Sequence, residues 1–366
     1  HWRCGPGWFR RTLGVLIALA AVGCHPMGAR TIPTARFDYN QAIIESFDAQ
    51  MLLNLVRLRY QDSILFLDLG SVVASYHREV SGGLTPNVSA KPFAYGTGAS
   101  VGGNWSETPT ISYAPLQGED FAKRLLEPVE PSAILLLSRS GWGLERLMLC
   151  AVQQLNELLN GTAIGGVAPV KVHHFDRFRR VAQMLRELQE LGQVQLNTLA
   201  GDVNTVVITA GPMPMDAAAE AKAREIIRLL NVRTDHGPIS VEAPGFPRDP
   251  ANIVLTGRSF LGVMTFLAQH VEVPHEHERA GLVRVTRGPD GKAFDWHAIS
   301  GGLFRVKSGR SKPKRSYLAV QHRGYWFWID DTDIEAKATY TLLTQLFSLQ
   351  AASGKLHAPV LTIPAR

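Results

Sequence analysis

The sequence predicts an α+β fold, and three observations carry that expectation. Amphipathic helical stretches alternate with short β-forming runs. Several of those runs fall in pairs joined by turn residues, and no regular strand–helix–strand repeat recurs along the chain. The chain has 366 residues, 45% hydrophobic and 19% charged. That much apolar material excludes intrinsic disorder over most of the length and suffices for two ordinary domains or one large one. Its 33 Gly and 21 Pro stand close to average usage, which excludes collagen-like and low-complexity classes.

In chain order, Asn40 to Tyr60 reads as an amphipathic helix. Ile44, Phe47, Met51, Leu55 and Leu58 recur at helical spacing, opposite Gln50, Asn54, Arg57 and Gln61. Ile64–Tyr76 is rich in β-formers and reads as a strand. Residues 81–118 are full of Gly, Ser, Thr, Asn and Pro, with alternating stretches at Ala99–Trp105 and Thr108–Tyr113, and predict an exposed hairpin or flap. Short helices are expected at Glu119–Leu126 and Pro131–Leu137. A long one is expected at Trp142–Asn160, its apolar face made by Leu144, Leu147, Met148, Ala151, Leu155 and Leu158, with Ser140 placed to cap it and Gly161 just past its end. These elements make a helix-rich region at 37–160 carrying the flap, and Gly161–Val170 reads as a linker.

The second region, 171–366, is expected to be mixed helix-on-sheet layers. Phe175–Leu191 is helical in pattern, with Phe178, Val181, Leu185 and Leu188 on one face. Gln193–Leu199 and Thr205–Thr209 predict a hairpin through Gly201-Asp202, followed by a helix over Asp216–Leu230. Ile253–Thr256 leads into a helix over Ser259–His270. Phe304–Lys307, Tyr317–His322 and Tyr325–Ile329 read as strands, then Asp333–Gln350 as a helix and Val360–Ile363 as a strand. The ββα order at 193–230 and again at 317–350 hints at an internal duplication.

Residues 1–23 carry the sharpest local pattern. Arg3, Arg10 and Arg11 precede an apolar run from Leu13 to Val22 that is too short to span a membrane, as in a secretory signal. The run ends in Ala21-Val22-Gly23-Cys24, which resembles the lipobox of bacterial prolipoproteins. That resemblance implies cleavage before Cys24, acylation of its thiol with fatty chains such as palmitate, and a tether at 24–36. His25 is not the Asp of an inner-membrane retention signal, so the resemblance implies the outer membrane. Loss of the three arginines would take the formal net charge from +6 to +3. Cys150 would be left without a disulfide partner. The folded part resembles uncharacterised Gram-negative envelope lipoproteins of unknown function, on the segments Asn40–Asp68 and Tyr325–Gln350. That resemblance implies no site residues.

Local motifs for chemistry are few. No Gly-x-Ser-x-Gly elbow, phosphate loop or dinucleotide fingerprint occurs. Asp331, Asp333 and Glu335 could offer oxygen ligands to calcium, but Thr332 followed by Glu335 reads better as a capping box opening a helix. His270, Glu272, His275, Glu276, His277 and Glu278 form the densest His/Glu cluster. Pro274 breaks its helical spacing, and a solvated loop is expected rather than zinc. His173-His174 precedes a helix and has no nearby cysteine or suitably spaced acidic partner, so a ligand role is not expected. Cys150 is expected to be a half-buried, inert thiol.

One charge pattern stands out. Arg305, Lys307, Arg310, Lys312, Lys314 and Arg315 follow one another without an acid, and Arg310, Lys312, Lys314 and Arg315 are candidates for contact with an anionic surface. The expected role is that of an outer-membrane-anchored, non-enzymatic scaffold or assembly subunit of a cell-envelope complex, facing the periplasm. Its expected partners are the membrane, through the lipid on Cys24, and an envelope protein or further copies of itself, with no nucleic acid, metal or cofactor. The alternative is a membrane-anchored periplasmic hydrolase or glycan-processing enzyme.

Overall fold

The computed structural model describes residues 28–88, 95–161, 172–199, 202–234, 238–245, 249–287, 291–292, 294–296 and 301–351. Residues 1–27 with Cys24, the expected linker beyond Gly161 and the expected strand at Val360–Ile363 lie outside these. So do the side chains of His173 and His174. The chain divides into two units, residues 1–49 and 50–366.

The first helix, α1, runs over Gly28–Arg59. It starts twelve residues before the expected Asn40 and takes in residues 28–36 of the expected tether, since extending an existing helix is far easier than nucleating one. Within the first unit Phe37 and Ile44 are exposed. In the second, α1 buries Met51, Leu52, Leu55 and Val56. Asn54, expected on the polar face, is fully buried instead. Its Nδ2 donates to the Leu65 carbonyl at 2.8 Å and its Oδ1 accepts from the Leu65 N–H at 3.2 Å, which satisfies the amide in the interior.

The expected strand and flap are one element. β1 (Phe66–Val88) and β2 (Tyr95–Leu116) pair antiparallel from Phe66↔Leu116 out to Val88↔Tyr95, with one irregularity between Leu69 and Ser71. Interior glycines do not stop the pairing, because each strand satisfies the other's backbone. At about 3.4 Å per residue the ribbon is roughly 70 Å long.

Short helices follow at α2 (Glu119–Leu126) and α3 (Pro131–Arg139). Ser140 belongs to the end of α3, its hydroxyl donating to the Leu136 carbonyl at 2.9 Å, and not to the start of the next helix. That helix, α4, covers only Leu144–Ala151, with Gly143 before it. The expected helix to Asn160 gives way to β3 (Val152–Leu155), a turn with Asn156 at φ 50°, and β4 (Leu158–Leu159). The apolar period is compatible with either state, and the neighbouring strand decides. β3 pairs with β8 (Ile253–Gly257) through Val152↔Gly257 and Leu155↔Leu255.

Helix α5 (Val172–Glu190) leads into the hairpin β5 (Val194–Leu199) and β6 (Asp202–Ala210), then α6 (Ala217–Leu230) and β7 (Ile239–Glu242). The Asp216 side chain caps α6 by accepting from the Ala219 N–H at 2.7 Å. One six-stranded sheet results, ordered β4-β3-β8-β7-β6-β5, with only β7 and β8 parallel among its ladders. It joins strands from both expected regions, 37–160 and 171–366. Leu196, Val206 and Leu255 of the sheet meet Ile134 of α3, Met148 of α4, Leu185 of α5 and Ile226 of α6 around one small apolar void.

Helices α7 (Phe260–Ala268) and α8 (His275–Arg279) come next, followed by a three-stranded sheet ordered β10-β11-β9. Its strands are β9 (Lys307–Gly309), β10 (Leu318–His322) and β11 (Tyr325–Ile329), and α9 (Ile334–Ala351) follows. The strand expected at Phe304–Lys307 starts only at Lys307. Phe304 and Val306 are fully buried, and Val306 makes a single bridge to Val271. Both ββα runs are present, but one belongs to the six-stranded sheet and the other to the three-stranded sheet. Together these layers are α+β.

Candidate functional site

The His/Glu cluster is not a solvated loop. Pro274 opens α8, and that single turn carries His277 inward while the His275 side chain stays 94% exposed. The His277 Nδ1 lies 2.6 Å from the Tyr60 hydroxyl, and its ring sits edge-on to Tyr325. Burial pushes the Tyr60 phenol up to about 12, against the pull of Arg323 and Arg59, so Tyr60 keeps its proton beside His277. His270 is buried at the end of α7, with Nδ1 3.2 Å from the Phe266 carbonyl and Nε2 3.0 Å from that of Trp296. The cluster was misread because Pro274 disrupts the helical spacing on which amphipathic patterns depend.

Beside Tyr60 lies a second polar bracket. The His322 Nε2 lies 3.0 Å from the Asp62 carboxylate, which Arg323 also grips at 2.8 and 3.1 Å. Burial alone would raise the Asp62 carboxyl, but Arg323 and His322 together outweigh it and hold it below the usual carboxylate range. Burial lowers His322, with Asp62 pulling it partly back. The pair at neutral pH is therefore a carboxylate and a neutral ring donating to it. Arg323 and Gly324 have φ of 48° and 82° and form a tight two-residue turn between β10 and β11. That turn points Arg323 back at Asp62, three residues beyond the end of α1.

The basic run is partly neutralised by its neighbours. Arg305 pairs with Glu272, Lys307 with Asp330 at 2.9 Å, and Arg310 with Glu276. Arg310 also donates from Nε to the Tyr325 hydroxyl at 3.1 Å. Lys312 sits over the Trp326 ring, 5.4 Å from its centre. Lys314 and Arg315 are exposed. Three of the run's six charges are thus committed to ion pairs, and Lys312, Lys314 and Arg315 are each exposed.

Glu272 and Glu276, the ion-pair partners of Arg305 and Arg310, line a cleft of about 640 Å³ together with Tyr325, Arg59, Glu278 and Trp296. Its chemistry is that of engaged charge. Hydrogen bonds from Arg310 and Tyr325 hold the Glu276 carboxyl low, the opposite of what a general acid requires. Among the described residues, no three His, Cys, Asp or Glu side chains converge as metal ligands. The Asp331, Asp333 and Glu335 group is dispersed: Asp331 pairs with Lys337, Glu335 with Arg146, and Asp333 caps α9 by accepting from the Ala336 N–H at 2.9 Å. The cap is Asp333, one residue after the expected Thr332, whose hydroxyl donates to Asp330 instead.

Cys150, the next-to-last residue of α4, is buried and not half-buried as expected, and burial raises its thiol to about 11. Nearby is a residue that the sequence did not flag. Arg258 is buried with no carboxylate partner among the described residues, its guanidinium donating to the carbonyls of Leu149, Cys150, Val152 and Asn160 and stacking 4.1 Å from the centre of the Phe266 ring. Desolvation lowers it to about 10. It stabilises the carbonyl end of α4, where the helix dipole favours a cation.

The remaining feature is the mount of the β1–β2 ribbon. Phe66, the first residue of β1, stacks on Phe347 at 5.2 Å and lies edge-on to Phe121 at 5.8 Å. Asn54 grips Leu65, and Gln50 accepts from the Leu67 N–H at 3.1 Å. Burying one such Phe stabilises by about 2 kcal/mol, and the flanking backbone bonds fix where the ribbon leaves the body. No family model, no curated protein and no solved structure matches this chain. The functional reading therefore rests on geometry and on the residues themselves.

Proposed function

We propose that this chain is an outer-membrane-anchored lipoprotein, held by lipid on Cys24 and acting as a non-enzymatic scaffold or assembly subunit of a cell-envelope complex. The observation that carries the reading is the β1–β2 ribbon. It is a sheet of two strands, neither of which pairs with any other strand among the described residues. An isolated two-stranded ribbon is marginal in water, and its outer edges offer unmet backbone donors and acceptors to a neighbour. The base of the ribbon is fastened by Phe66, Asn54 and Gln50, so it can present those edges in a defined direction. The cleft supports the same reading, because Glu272 and Glu276 are taken up by Arg305 and Arg310.

Two measurements test the proposal. Inhibiting lipoprotein signal peptidase should leave a precursor still carrying residues 1–23, and Cys24→Ser should abolish acyl labelling. Gentle detergent extraction followed by size analysis should show the chain in an assembly. Unchanged labelling of the Cys24→Ser variant, or a lone monomer after extraction, would overturn the corresponding half.

A further inference from the structure

The register of β1 and β2 sorts their residues onto two faces of unlike chemistry. In the outer half of the ribbon, one face takes Val80, Gly82, Leu84, Pro86 and Val88 of β1 together with Tyr95, Thr97, Ala99, Val101 and Gly103 of β2, with Thr97 its one polar side chain. The opposite face takes Ser81, Thr85 and Asn87 together with Gly96, Gly98 and Ser100. From Val80 to Gly103 the sequence holds one charged residue, Lys91, and it lies in the segment between the strands. Charge returns immediately below, at Arg78, Glu79 and Glu107, beside Tyr76 and Trp105. Tyr95 marks the other end.

We infer that this hairpin is a membrane-inserting stave. Several copies of this chain join edge to edge through β1 and β2 into a closed β-barrel, with the apolar face toward lipid and the Ser/Thr/Gly face toward water. The dimensions agree. Residues 80–88 and 95–103 give nine residues per strand, and a tilted transmembrane strand needs about 9–11. Alternation of apolar and small polar residues, with aromatics where the uncharged stretch ends, is the pattern of an outer-membrane strand.

The occupant of the free edges follows from the same physics. In hydrocarbon every backbone N–H and C=O must be paired, and a two-strand ribbon leaves a row unpaired on each side. No other described strand pairs with β1 or β2. The described residues also hold no helix long and apolar enough to cross a membrane. Further copies of the same hairpin supply matching edges, matching length and a matching apolar face. Each copy adds two strands, so an eight-stranded closure, at the small end of known barrels, takes about four copies. This deepens the scaffold reading by naming its partner, and it rests on that reading for delivery to the membrane.

The test uses the full chain in mild detergent and in planar lipid bilayers. The wild type should have the mass of about four or more protomers and should give discrete conductance steps. Leu84→Arg with Val101→Arg puts charge on the lipid-facing side and should reduce conducting channels at least tenfold, because a cation there opposes insertion. Thr85→Arg with Ser100→Arg puts the same charge on the water-facing side and should keep the channels while shifting selectivity toward anions. An unchanged thermal transition of the body in both variants separates insertion from misfolding. Unchanged acyl labelling of Cys24→Ser with conductance kept would overturn the anchor and leave the stave standing. A monomeric or non-conducting wild type, equal loss in both Arg pairs, or assembly only with a different protein would overturn the stave.

Discussion

The Asp62–His322 bracket shows how a single residue ties distant chain segments together. Asp62 lies three residues beyond α1, and His322 and Arg323 lie 260 and 261 positions later at the turn of a hairpin, where their side chains meet its carboxylate. Both groups titrate below their ordinary values. For His322 this means that the folded chain holds its proton less tightly than the unfolded chain. Its contribution is complete above the ordinary value of 6.5 and is lost as pH falls through the depressed folded value. The Asp62 contribution is present above the ordinary 3.8 and is lost as pH falls through its own depressed value. Denaturant melts should therefore show stability declining in two acid steps. His322→Gln should flatten the upper step, and Asp62→Asn the lower. A His322→Gln profile parallel to the wild type would show that the ring's burial does not govern the upper step.

Among the elements, α4 depends most on residues outside itself. Its length was not legible from its own sequence, because the apolar spacing from Leu144 to Leu158 suits a helix throughout. Instead β8 takes Val152–Leu155 into the sheet, and Arg258 and Asn160 bind the carbonyls that the ending helix releases. Gly257 is required at the same place, since a Cβ there would collide with the Val129 carbonyl oxygen. Replacing Arg258 by Met removes a buried set of donors and should cost about 2–5 kcal/mol in a urea unfolding series. Arg258→Lys should recover less than half of that, because an ammonium cannot reproduce the guanidinium fork. Full recovery by Lys would mean that charge alone, and not the forked geometry, holds the helix end.

At the scale of the whole molecule, ribbon and basic loop pose separate questions about surfaces. Of the four residues first singled out, Arg310 is held by Glu276 and Tyr325, so we propose that Lys312, Lys314 and Arg315 supply the contact with an anionic surface. Near an anionic membrane each exposed cation is worth about a factor of five in partition, and salt screens that attraction beyond about 8 Å. Changing all three to Glu should weaken co-sedimentation of the Cys24→Ser protein with anionic vesicles at low salt, and high salt should abolish the difference. The thermal transition should stay nearly unchanged, because exposed loop charges contribute little to folding. Equal sedimentation at low salt would leave the loop as solvated surface.

The sequence alone determined the class and most of the local structure: the α+β mixture, both ββα runs, the α5 core face and the existence of a hairpin rich in Gly, Ser and Thr. Those features follow from periodicity, turn residues and composition, which act over a few neighbouring positions. Only the tertiary structure decided where α4 ends, that Asn54 and Arg258 are buried, and that His277 turns inward to Tyr60. In each case a partner many residues away satisfies a polar group, or pairs a strand, that local pattern would assign otherwise. The ribbon belongs to both. Its alternation was written in the residues from the start, but only the register of β1 against β2 brings Val80, Leu84, Ala99 and Val101 onto one face. Cross-strand hydrogen bonds set that register, and a shift of one residue would have mixed the two faces.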